Sequence, residues 1–141
     1  MFSEESLTYL EQIIVDSELQ TSAEIRIRLE NYCPKDVMSR ALEVFEELDM
    51  HKTQLQNGVL FYLSIEDKRF SILGDKGIHQ LVHQVFWDEI RDNALRFFKI
   101  DKYTEGLEFA IKQVLNQAIK HFPYQKGDIN ELPNEISVYK H

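Results

Sequence analysis

Three oxygen-bearing side chains, Glu24, Asn57 and Asp75, lie far apart in the sequence, yet each stands at one end of a segment that reads as a β-strand. Two carboxylates and an amide oxygen are hard ligands of the kind calcium or magnesium prefers, and Gly58, Gly74 and Gly77 would flex the backbone around them. The helix opening after Gly77 would add free backbone N–H groups, so that a cation held there leaves room for a phosphate. Each residue also has a plainer use: Asp75 as a helix cap, Asn57-Gly58 as a turn, Glu24 as a solvated edge carboxylate. Asp88 and Asp92 form a second acidic pair at i, i+4, whose repulsion either a cation or the neighbouring Arg91 would relieve. His79 and His83 are one helical turn apart, a spacing that can hold zinc or copper, but no third ligand is evident nearby.

Covalent catalysis finds less support. There is no G-x-S-x-G elbow, no phosphate-loop lysine motif and no partnered cysteine; Cys33 is alone and reads as a small loop or core residue. Phosphoryl chemistry would have to be metal-assisted attack by water. A transferred phosphoryl group calls for a basic clamp, and only Lys76 and Lys52 stand near these acids by sequence. That balance favours binding over catalysis.

The elements that must position these residues can be read from periodicity. Residues 59–63 are an unbroken apolar run of strand length, and 66–68 are a polar break. Residues 70–73 then form a second strand, antiparallel to the first. Ile78, Leu81, Val82, Val85 and Phe86 follow at i, i+3, i+4, i+7 and i+8, the apolar stripe of a helix on the sheet. Upstream, Ser3 with Glu4 and Glu5 opens a helix to about Gln20. Residues 24–30 alternate charged and aliphatic, a strand whose charged face is expected in water near the sheet edge. Pro34 suits the first turn of a second helix ending near Asp49, and Tyr103 begins a last long helix.

Strand, helix, strand calls for parallel pairing of the first two strands. Their starts, carrying Glu24 and Asn57, then share one end of the sheet with the finish of the third strand at Gly74-Asp75. A straight helix from Asp75 would carry Asp88 about 20 Å away. Asp88 joins that rim only if the helix breaks near Trp87, with Asp88 capping a new segment.

Size and charge bound the rest. The 141 residues suit one domain with a sizeable core, here taken as 1–122, with 123–141 as a tail packed on it or trailing from it. A formal charge of -8, from 24 acidic and 16 basic residues, argues against nucleic acid as a partner. No apolar run approaches a membrane span, and the acidic N-terminus is unlike a signal peptide, so a cytoplasmic location is expected.

Several segments together resemble the TPM domain family, in a small stand-alone bacterial form. They are Thr21-Ser22-Ala23-Glu24-Ile25, Asn57-Gly58-Val59-Leu60, Ile72-Leu73-Gly74-Asp75-Lys76-Gly77-Ile78, Phe86-Trp87-Asp88, Tyr103-Thr104-Glu105-Gly106-Leu107 and Asn130-Glu131-Leu132-Pro133. The resemblance implies a three-layer α/β/α sandwich, Rossmann-like without a dinucleotide motif, with a mixed sheet of about four strands. It implies a divalent cation, calcium first and magnesium second, in an acidic cleft. The family's acidic positions fall on Glu24, Asp75 and Asp88, with Asn57, Gly58, Gly74, Lys76 and Gly77 lining the cleft. Ala23 departs from the glycine common in the family, and the export signal and membrane anchor of many relatives are not seen here.

Two functions are thereby expected. One is a cation-binding module with a regulatory or structural role and a protein partner that the sequence does not name. The other is a weak metal-dependent phosphatase or nucleotide hydrolase, using the same cleft for a phosphate-bearing small molecule. Asp92, His79 and His83 are further, weaker candidates for ligands.

Overall fold

Ser3 accepts the backbone N–H of Ser6 and opens α1 (Glu4–Glu18), with Glu4 and Glu5 in the first turn at the positive end of the helix dipole. β1 (Glu24–Glu30) follows, then α2 (Val37–Glu47), capped by Asp36 through the N–H of Ser39. Pro34, expected in the first turn of α2, lies instead in the connection, because the Asp36 cap sets the start at Val37. A 3-10 turn, Met50–Lys52, leads to β2 (Gly58–Ser64), which turns back into β3 (Arg69–Gly74). Then come α3 (Lys76–Lys99), α4 (Tyr103–His121) and β4 (Ser137–Tyr139). This is a computed structural model, and it describes residues 2–125 and 136–139. The Asn130-Glu131-Leu132-Pro133 segment lies outside the described residues.

Among the described residues the sheet runs β3-β2-β1-β4. β1 and β2 are parallel from Glu24↔Gly58 to Glu30↔Ser64, and β2 and β3 antiparallel from Val59↔Gly74 to Ser64↔Arg69, both as the hydrophobic pattern predicts. β4 adds a short parallel strand beside Arg28, Leu29 and Glu30. Three residues carry too little periodicity to read as a strand in advance.

Helices cover both faces. On one face Ile25, Ile27, Leu29, Val59, Phe61 and Leu63 pack with residues of α1, α3 and α4, among them Leu10, Ile14, Trp87, Phe98, Leu107 and Val114. On the other, Leu60 and Tyr62 meet Ala41, Val44 and Phe45 of α2, and Met50. Each such fully buried large side chain contributes about 1.5–3 kcal/mol.

The charged face of β1 corrects the sequence reading. Glu24, Arg26, Arg28 and Glu30 are all buried, and β1 is an inner strand. Their charges satisfy one another instead of water. Arg26 donates to Glu24 at 2.8 Å and to Glu18 at 2.6 Å. Arg28 donates to Glu30 at 3.1 Å and to Glu47 at 2.7 Å, while Arg40 of α2 and the Tyr62 hydroxyl also donate to Glu30. Alternation alone does not tell a wet face from one lined by mutually paired charges. Burial, and then the bond to Glu30, push the Tyr62 hydroxyl well above its ordinary range. The Glu30 bond likewise raises the Arg40 guanidinium.

The apolar stripe of α3 assumes one straight helix, and the chain breaks it. His83 has φ 69° and ψ 167°, a left-handed backbone in the middle of the run. Ile78 is buried and Val82 and Phe86 half-buried, but Leu81 and Val85 are 43% and 66% exposed.

Candidate functional site

The three sheet ends converge as the topology requires. Glu24 stands opposite Gly58, and Val59 opposite Gly74, so one rim carries the start of β1, the start of β2 and the finish of β3. The N–H of Asp75 donates to the Gly58 carbonyl at 2.9 Å, and that of Gly77 to the Gln56 carbonyl at 2.8 Å. Buried Asn57 reaches across to the Ser22 carbonyl at 3.3 Å through Nδ2. The loop of residues 53–58 thus wraps the start of α3. Gly77 is fixed by that closeness, since a Cβ there would stand 2.1 Å from the Leu55 carbonyl oxygen.

The side chains divide. Asp75 caps α3: its Oδ1 accepts the N–H of Lys76 at 2.8 Å. Its Oδ2 is buried and has no hydrogen-bond partner. A second buried oxygen without a partner, Oγ1 of Thr53, belongs to the loop that wraps this helix start. Thr53 is 5% exposed, and its carbonyl accepts the N–H of Gln56. Nothing in the sequence marks it, because a lone threonine in a polar loop carries no spacing signal.

Glu24 is at the rim by backbone but turns its carboxylate to Arg26 on the buried charged face. Asp88 accepts from Gln84 Nε2 at 2.8 Å and from Arg91 at 3.2 Å. Arg91 also pairs with Asp92 at 3.1 Å, so the arginine between the two acids serves both. The helix does break, but at His83 and not near Trp87, so that Asp88 lies within the second segment and caps nothing. The buried ring of Trp87 lies over the rim: a Cβ on Gly74 would be 2.5 Å from its Cζ2.

The break also takes His79 and His83 out of the regular i, i+4 geometry. His79 Nδ1 accepts the indole N–H of Trp87 at 2.9 Å, and His83 occupies the break itself. Among the described residues no group of three or more His, Cys, Asp or Glu is arranged to hold a metal. At Asp75 the rim offers a buried anionic oxygen without a donor, with a neutral hydroxyl in the adjoining loop and flexed backbone; Oε1 of Glu18, whose other oxygen accepts the N–H of Ile25 at the start of β1, is likewise buried without a partner. The other acids of the rim are held by arginines or an amide.

Among the described residues no helix is long and apolar enough to cross a membrane. A family profile described as the TPM domain matches residues 1–117. The BA42 protein of the psychrophilic bacterium Bizionia argentinensis, solved by NMR, is 42% identical to this chain with a TM-score of 0.90. The match covers 99% of this chain and 96% of BA42. The N-terminal domain of a P. gingivalis protein shares the fold at 14% identity and a TM-score of 0.71, over 88% of this chain and 82% of that one. No curated protein matches.

Proposed function

The chain belongs to the TPM domain family, and from that premise we propose that it is a divalent-cation-binding module whose ion, calcium first, sits at the Asp75 rim. The observation that carries this reading is the buried Oδ2 of Asp75, which has no donor. An anionic oxygen left in that condition is costly, and a cation is the partner that relieves it. The hydroxyl of Thr53 and the backbone carbonyls of the loop whose Gln56 carbonyl accepts the N–H of Gly77 would supply the neutral oxygens. Calcium tolerates an irregular oxygen set in a flexible loop, whereas magnesium demands near-octahedral geometry and keeps its waters. Glu24 joins as a ligand by leaving Arg26, and Asp88 by leaving Gln84 and Arg91. The module acts in a regulatory or structural role, through a partner protein.

Hydrolysis of a phosphomonoester or nucleotide at the same rim is the weaker alternative. It calls for a cationic clamp, and Arg26, Arg28 and Arg40 are all engaged by carboxylates. Lys52 is engaged by Asp49, and the exposed Lys76 beside Asp75 is one cation and not a clamp.

A calcium titration followed by amide NMR, with magnesium for comparison, tests the reading. Saturable shifts at Asp75, Lys76 and Gly77, lost in Asp75→Asn, are expected. A flat response at millimolar calcium refutes it. Turnover of an aryl phosphate that EDTA and Asp75→Ala both abolish would promote the alternative.

A further inference from the structure

We infer that His83 is a joint at which α3 passes between its bent form and a straight one, and that the bent form is the one competent for the cation. The coupling to a cation rests on the function proposed above; the joint does not. His83 holds a backbone conformation that is essentially reserved for glycine, and its side chain is exposed, so no burial of the imidazole compensates. The sequence around it is written for the other form. Ile78, Leu81, Val82, Val85 and Phe86 share one side of a straight helix, while the bend leaves Leu81 and Val85 largely in water. Local pattern and observed backbone therefore favour different states, the condition under which a helix has two arrangements to choose between.

Two contacts hold the bend. The Trp87 indole donates to His79 Nδ1 at 2.9 Å, and its ring lies against Gly74. In a straight helix, residues eight apart are separated by about 12 Å along the axis and about 80° around it, so this bond belongs to the bent form. Straightening would lift Trp87 off the rim and set Asp88 about 20 Å along the helix from Asp75. Bending draws Trp87, with Asp88 beside it, towards the residue that precedes Asp75. A cation that uses both acids binds only the bent form, and so selects it.

The experiment is amide and indole NMR on the wild type, His83→Gly and His83→Ala, each without cation and then with calcium. Trp87 is the only tryptophan, so its indole N–H reports the joint directly. Without cation, the wild type is expected to show millisecond exchange broadening over residues 79–87 and at the indole. Glycine, free to adopt the bend, sharpens these signals. Alanine, a strong helix former, deepens the exchange or yields a second indole signal. Calcium sharpens the wild type. An equally sharp, unshifted indole signal in all three proteins without cation would show a rigid bend and overturn the joint. Calcium shifts at Asp75 with exchange at 79–87 unchanged would overturn the coupling and leave the cation reading standing. No calcium shift in any of the three would remove the cation reading and the coupling together, the joint being decided by the cation-free spectra.

Discussion

Trp87 donates its indole N–H to Nδ1 of His79 at 2.9 Å, across the break in α3, each partner standing four residues from His83. The bond ties the first segment of the helix to the second while the ring packs against Gly74. Trp87→Phe keeps most of the apolar area and removes the donor. It should lower the unfolding free energy by about 1–2 kcal/mol, the range for losing a partly buried hydrogen bond and leaving its acceptor unmatched. Urea unfolding would show this as a lower midpoint with an unchanged slope. An unchanged midpoint would mean that ring packing alone holds the bend.

Glu30 is the keystone of the charged layer. It accepts from Arg28 at 3.1 Å, from Arg40 Nε at 3.0 Å and from the Tyr62 hydroxyl at 2.6 Å, with Glu30, Arg28 and Tyr62 buried and Arg40 partly buried. Glu30→Ala leaves two guanidinium groups and a phenol without their shared acceptor. A loss of about 3–5 kcal/mol is expected, as for one partner removed from a buried ion pair. Tyr62→Phe removes one donor and should lose about 1 kcal/mol. Equal losses in the two variants would show that the arginines are repaired by other groups.

Acid stability has an assignable part. The hydrogen bond from Lys112, then that from Tyr9, holds the Glu108 carboxyl below its ordinary value of 4.5. A carboxylate whose pKa is depressed by folding adds stability that is fully present above the unfolded value and is lost as pH falls through the folded one. The stability difference between wild type and Glu108→Gln should therefore be constant near neutrality and vanish on acidification below about pH 4. Being at the surface, it should also shrink in high salt. Denaturant unfolding across that pH range reads it, and a difference that persists at pH 2 would contradict the ion-pair origin.

How far the sequence reaches can be argued from particular residues. The sheet order β3-β2-β1 follows from Ile25 to Leu29, Val59 to Leu63 and Phe70 to Leu73, whose lengths and alternation admit few pairings. The shared rim of Glu24, Gly58 and Gly74 follows from that topology. The destination of each carboxylate does not. Glu24 sits at the rim by backbone, yet its side chain is claimed by Arg26 two residues on, a competition that strand periodicity does not encode. The break at His83 is likewise hidden, because neither proline nor glycine marks it and the stripe runs through it unbroken. Trp87, His79 and Gly74 decide it together, through contacts eight and more residues apart in sequence.

Asp75→Asn gives a test in which stability moves in opposite directions with and without calcium. In EDTA the wild type carries a buried anionic oxygen without a donor, while Oδ1 caps Lys76. Asparagine keeps the capping oxygen and removes the charge, so the variant should be as stable as wild type or more so, by about 1 kcal/mol. Saturating calcium should reverse the order. A ligand at a hundredfold excess over its dissociation constant stabilises the folded form by about 2.7 kcal/mol, and only the wild type would receive it. Thermal unfolding of both proteins, in EDTA and in calcium, reads the crossing. If asparagine is destabilising in EDTA, the Asp75 carboxylate has a structural partner and its orphan oxygen is no cation site. If calcium raises both melting temperatures equally, the ion binds elsewhere.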